Sequence, residues 1–173
     1  GQKTSDTVRG LAPHLNLADE VAWLDAEEER DLAGIVEVPG AARLIGALAP
    51  EEWALVTSAG RELAVLRLAA AKVPPPRPIV SGESVTRGKP DPEGYLMGAR
   101  LLGRRPDECV VVEDAPAGIA AGLAAGMRVI GVATTYERAR LAPLGCAAIV
   151  STLADISLEP RGAAASLVWH ISD

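Results

Sequence analysis

Phenylalanine is absent from this 173-residue chain, histidine and cysteine occur twice each, and lysine and arginine never gather into a run. Each scarcity closes off a class of function. Without a basic stretch, and with a net charge of -6 and a pI near 5.0, the chain has no nucleic-acid face. Apolar runs such as Val110 to Val112, or the alanine-rich Gly118 to Gly126, are too short or too weakly apolar to cross a bilayer, and no secretory signal is visible. Cys109 and Cys146 have no CxxC partner and no paired histidine, so they read as reduced, buried thiols of a cytoplasmic protein rather than a zinc or redox centre. His14 and His170 are far apart and sit near no nucleophile. The missing Phe, beside abundant Ala, Gly, Pro and Arg, is a bias of composition without a functional reading. What is present is 49% hydrophobic content, enough to bury the core of one domain with at most an appendage.

The polar stretch that starts at Gly1 opens no recognisable domain, the expectation for a piece of a longer protein. Ser5 to Leu15 predicts a short helix ended around Pro13. "LADEVAWLDAEEERDL", Leu17 to Leu32, places Leu17, Val21, Leu24 and Glu28 on one helical face, with Asp19 and Glu20 suited to the first turn. Glu27, Glu28 and Glu29 point in different directions on such a helix, so they form a solvated face rather than a metal site. After Pro39 and Gly40, strands and helices alternate. Helices are expected over Ala41 to Leu48, Arg61 to Ala71, Glu93 to Leu102, Ala117 to Ala125 and Glu137 to Leu144. Strands are expected at "WALVTS" (Trp53 to Ser58), "PIVSG" (Pro78 to Gly82), "CVVVED", "RVIGV", "AAIVS" and "SLVWHI". Asp91 is placed to cap the helix that Pro92 opens. Such alternation means βα units: an α/β fold with a parallel sheet, helices on both faces, and ligands at the carboxyl ends of the strands.

Three of those ends carry chemistry. "WALVTSAG" ends in Thr57 and Ser58, "VTRGKPDP" puts Lys89 in the loop after "PIVSG", and "CVVVEDAPAG" ends in Glu113 and Asp114. A phosphate needs donors, which Thr57, the backbone N–H groups around Ser58 and Lys89 can supply. It also needs its charge offset, which Mg²⁺ on hard oxygen ligands such as Asp114 and Glu113 can do. Singly, each signal has a plain reading: a cap, a solvated loop lysine, an acidic helix start. Together, in an alternating α/β context, they point to phosphoryl chemistry. The glycines of "AGIAAGLAAG" lie inside a helical pattern and let that helix pack closely on the sheet, rather than forming a dinucleotide loop.

"VTSAG", "RGKPDPEGY" and "VVVEDAPAGIAAGLAAGMRVIGV" resemble the second, third and fourth motifs of the haloacid dehalogenase superfamily, in the wording of its capped sugar-phosphate, glycerol-phosphate and phosphoglycolate phosphatases. The resemblance runs from about Val38 to Tyr136. It implies a Rossmann-like three-layer core over residues 37–173 and, over residues 1–36, the C-terminal part of a helical cap. It further implies that Thr57 binds the phosphoryl oxygens with the backbone around Ser58, that Lys89 stabilises developing charge and orients the nucleophile, and that Asp114 with Glu113 holds Mg²⁺. The implied substrate is a small phosphorylated sugar or polyol; Lys3 and Thr4, in the expected cap, read either as substrate contacts or, the better reading, as solvated loop.

The family's first motif, an apolar strand ending in DxD, supplies the attacking aspartate and the general acid and base. No aspartate of this chain has a second aspartate two residues on. The resemblance places that strand centrally, between those bearing Thr57 and Asp114, so the expected sheet has a gap and the chain alone is expected to be nearly inactive. Two other readings stand beside a phosphatase: a truncated, non-catalytic binding or structural piece, and a receiver-like signalling domain. The order Thr57, Lys89, Glu113, Asp114 disfavours the receiver, whose acids come first. Carbon–halogen hydrolysis is disfavoured by the retained pair of metal-suited acids.

Overall fold

The structure is a computed structural model that describes residues 3–161 and 166–171. Two helices lead: α1 (Thr4–Leu11) and α2 (Leu17–Arg30). α1 stops two residues short of Pro13, and α2 starts where the Asn16 side chain accepts from the N–H groups of Ala18 (3.0 Å) and Asp19 (3.4 Å). Two of its acids form ion pairs at the solvated surface. Glu27 pairs with Arg30 at 2.5 Å, and Glu28 reaches Arg67 on α4 (Arg61–Ala70) at 3.5 Å.

The remaining order alternates as expected. It runs α3 (Ala41–Gly46), β1 (Leu55–Val56), α4, β2 (Ile79–Val80), α5 (Glu93–Leu101), β3 (Val110–Glu113), α6 (Pro116–Ala124), β4 (Arg128–Val132), α7 (Arg138–Leu141) and β5 (Ala148–Val150). Asp91 caps α5 as its spacing suggested, accepting from Glu93 N–H at 3.0 Å. β3, β4 and β5 are parallel, with Glu113 opposite Gly131 and Gly131 opposite Ile149. Ile119, Leu141 and Val129 fill the core on one side of this sheet; Ile130, Val132, Val150 and Leu44 fill it on the other. Helices thus cover both faces, and full burial of each such aliphatic side chain contributes roughly 1.5–3 kcal/mol.

Three expectations need correction. β1 and β2 are shorter than expected, pairing in parallel over two residues only; that among the described residues they form a sheet separate from β3-β4-β5 agrees with the expected gap. Among the described residues β1 has β2 on one side and a cleft on the other. Second, "SLVWHI" does not extend the parallel series. It is β7 (Ser166–Ile171), antiparallel to an unforeseen β6 (Ile156–Arg161). Arg161 of β6 pairs with Ser166 of β7 only five positions on, a hairpin span, whereas a parallel crossover takes a dozen residues or more. Third, Cys109 and Cys146 are free but half-buried rather than buried. His14 is exposed; the side chain of His170 lies outside the described residues. Among the described residues, no helix is long and apolar enough to cross a membrane.

Candidate active site

The space between β1 and β3 is a cleft of about 580 Å³, lined by Thr57, Ser58, Lys89, Glu113 and Asp114 among others. All five residues singled out from the sequence therefore meet at one place, at the carboxyl ends of β1 and β3. In the parallel pairing of β1 with β2, Thr57 N–H is given to Val80 O at 2.9 Å, so the neighbouring Val56 peptide faces the other way, into the cleft. Lys89 Nζ spans the opening. It donates to Val56 O at 3.3 Å on one wall and to Glu113 Oε1 on the other.

The loop that carries Lys89 is held from both sides. Glu93, in the first turn of α5, accepts from the backbone N–H groups of Thr86 (2.9 Å) and Arg87 (2.8 Å), and those bonds hold its carboxyl below the usual value of 4.5. Lys3 Nζ donates to Val85 O at 2.6 Å. Lys3 is therefore an anchor for this loop and not a solvated residue; Thr4 begins α1 and lines the cleft.

Glu113 and Asp114 are adjacent in sequence but do different things. The period of two along β3 puts Glu113 on the same face as Val111, under α6, where its side chain is 7% exposed. Its Oε1 accepts from Lys89 Nζ and from Tyr95 Oη (2.9 Å), and its Oε2 from the N–H groups of Asp114 (2.9 Å) and Ala115 (3.0 Å). Two donors on each oxygen use its acceptor capacity. Burial by itself would raise this carboxyl, but the Lys89 ammonium, the Ala115 N–H and the Tyr95 hydroxyl outweigh it and hold the group below 4.5. Burial, with Glu113 alongside, pushes the Tyr95 phenol well above its ordinary range, so it stays a donor. The Tyr95 ring also lies 5.0 Å from Lys89 Nζ, a cation–π contact.

This packing explains two of the glycines. A Cβ on Gly118 would lie 1.9 Å from Glu113 Oε1, and one on Gly122 would lie 2.9 Å from Val129 and 3.2 Å from Val111. α6 can approach β3 only because both positions are bare.

Asp114 lies at the next position along the chain, half-exposed in the cleft, with Oδ2 accepting from Thr135 Oγ1. Thr57 Oγ1 accepts from Ala59 N–H at 3.1 Å, which turns the hydroxyl proton outward as a donor at the strand end. The donor set facing the cleft is hard oxygen, which suits Mg²⁺, an ion that takes one or two carboxylates together with waters and a phosphate. Among the described residues there is no group of three or more His, Cys, Asp or Glu that could hold a metal unaided. Tyr95 and Thr135 were missed from the sequence. Thr135 stands three residues past the end of β4, whereas Thr57 directly follows β1, so only a strand-end rule extended over the whole of "RVIGVATT" would have found it.

Known proteins are similar to this chain over most of its length. Hexitol phosphatase A of Escherichia coli is 46% identical over 128 residues, which cover 73% of this chain and 59% of that protein. Glycerol-1-phosphate phosphohydrolase 1 of Saccharomyces cerevisiae is 36% identical over 184 residues, covering 100% of this chain and 74% of that protein. A hydrolase from Pseudomonas syringae has a matching solved structure, with a TM-score of 0.77 at 27% identity, covering 86% of this chain and 73% of that one. The profile of the haloacid dehalogenase-like hydrolases matches residues 2–126, across the motifs of Thr57, Lys89 and Asp114, and this chain belongs to that family.

Proposed function

We propose that these 173 residues carry the phosphate- and metal-binding part of a phosphomonoesterase acting on small phosphorylated sugars or polyols. The nucleophilic aspartate would come from a strand seated between β1 and β3. The observation that carries this reading is the convergence of Thr57, Ser58, Lys89 and Asp114 on the two walls of a single unfilled gap in the sheet. The named activities of the hexitol and glycerol-phosphate relatives support the substrate class. Residues 1–36 would be the C-terminal part of a helical cap and residues 37–173 the core.

Within the site, Thr57 and the N–H groups after it bind the non-bridging phosphoryl oxygens. Lys89 sits where its charge offsets the phosphoryl group and the incoming carboxylate. Glu113 and Tyr95 fix the Lys89 ammonium, and Glu113 acts as a counter-ion more than as a metal ligand. Asp114 holds Mg²⁺, which when bound neutralises charge on the transferring group. The incoming carboxylate would attack phosphorus as the ester P–O bond breaks, the second aspartate of the Asp-x-Asp giving the leaving oxygen its proton; water, deprotonated by that same aspartate, would then split the aspartyl phosphate and release phosphate. The 173 residues alone contain no DxD, which favours a second reading of them as a non-catalytic piece. Phosphate release from hexitol and glycerol phosphates, measured with the gap filled by an apolar strand ending in Asp-x-Asp, tests the proposal. Turnover should require Mg²⁺ and vanish in Lys89→Met and Asp114→Asn; turnover indifferent to both substitutions would sink it.

A further inference from the structure

From the loop after β4, we infer that Thr135 is a positioning residue for the metal site, holding the Asp114 carboxylate in its ligating orientation; this rests on the reading of Asp114 as the Mg²⁺ ligand. Thr135 Oγ1 donates to Asp114 Oδ2. An aspartate on a strand-to-helix turn has two freely rotating torsions, and a hydrogen bond to one oxygen leaves the other aimed at the cleft.

The hydroxyl can do this because the loop presenting it is anchored at both ends. Just before it, Ala133 N–H is given to Val150 O at 2.8 Å; just after it, Arg138 Nη1 donates to Ile149 O at 2.6 Å. Arg140 stacks on Tyr136, 4.8 Å from the ring centroid. Both anchors lie on β5, and β4 is locked to β3 with Glu113 opposite Gly131. The position of Thr135 relative to Asp114 is thus set by the sheet register, not by a chance meeting of two loops. Thr135 itself is exposed, so replacing it removes little packing.

The test is Mn²⁺ binding by this chain completed by a strand ending in Asp-x-Asp, followed by electron paramagnetic resonance of the free ion, so no turnover is needed. Mn²⁺ shares the preference of Mg²⁺ for oxygen ligands. The expected result is that Asp114→Asn loses binding and that Thr135→Val and Thr135→Ala each weaken it about tenfold, the usual cost of removing an outer partner of a metal ligand. Thr135→Ser should restore the affinity, and all three Thr135 variants should keep the wild-type urea midpoint. Thr135→Val binding as well as wild type, while Asp114→Asn does not bind, overturns the role of Thr135 and leaves the metal site standing. Mn²⁺ binding unaffected by Asp114→Asn, or absent from the completed wild-type protein, overturns the metal reading of Asp114 and the inference with it.

Discussion

Gly118→Ala adds one methyl group directly beneath the ion pair that ties the two walls of the cleft together. The new Cβ would stand 1.9 Å from Glu113 Oε1 and 2.0 Å from its Cδ, whereas ordinary contact begins at 3.4 Å. The carboxylate would have to retreat by about 1.5 Å, more than its bonds to Tyr95 (2.9 Å) and Ala115 (3.0 Å) tolerate. Overpacking costs roughly 1–3 kcal/mol and a lost hydrogen bond to a charged group roughly 1.5–3, while the better helix propensity of Ala returns about 1 kcal/mol. The net expectation is a destabilisation of about 1.5–5 kcal/mol, a fall of roughly 1–2 M in the urea midpoint followed by circular dichroism. Gly10→Ala in α1 is the control, because nothing lies within 4 Å of its Cβ. It should be neutral or stabilising by about 0.5 kcal/mol. A Gly118→Ala midpoint equal to or above wild type would refute the claim that this glycine exists to admit Glu113.

Lys89→Met leaves the Glu113 carboxylate buried without its cation and should cost roughly 3–5 kcal/mol in a urea melt; adding Glu113→Gln should recover part of that loss. Tyr95→Phe removes one donor from Glu113 Oε1 while Lys89 remains, so the expected loss is about 1.5 kcal/mol, with no loss contradicting the hydrogen bond. Glu113 and Glu93 both have folded pKa values below 4.5, so their contribution to stability is present above that pH and is lost as pH falls through the folded values. Urea midpoints should therefore drop below pH 4.5, and less steeply in Glu113→Gln; a midpoint that rises on acidification would contradict the assignment.

Most of the fold was legible because its strands are runs of β-branched residues. "RVIGV" is buried on both faces, "CVVVED" alternates half-buried with buried positions, and both read as parallel strands at once. β6, "ISLEPR", has no such run, and its antiparallel pairing follows from the short span between Arg161 and Ser166, which periodicity does not encode. β1 shrank to two residues because strand length depends on neighbours that composition cannot name. At the site, Thr57, Lys89 and Asp114 were found by their place at strand ends. The separate duties of Glu113 and Asp114 were implicit in the period of two, but only the packing of Gly118 shows which face is closed. Tyr95 stayed hidden because its place in an apolar helix already accounts for it as core.

The central claim is that this chain holds a phosphate and metal site awaiting an aspartate in the gap between β1 and β3. The most direct measurement compares Mg²⁺-dependent phosphate release by the 173-residue chain with release by the same chain completed by a strand ending in Asp-x-Asp. Release near background from the chain alone, robust release from the completed protein, and loss of release when the first of those aspartates becomes asparagine are the expected results. Mg²⁺-dependent turnover by the chain alone, at a rate matching the completed protein, would contradict the claim.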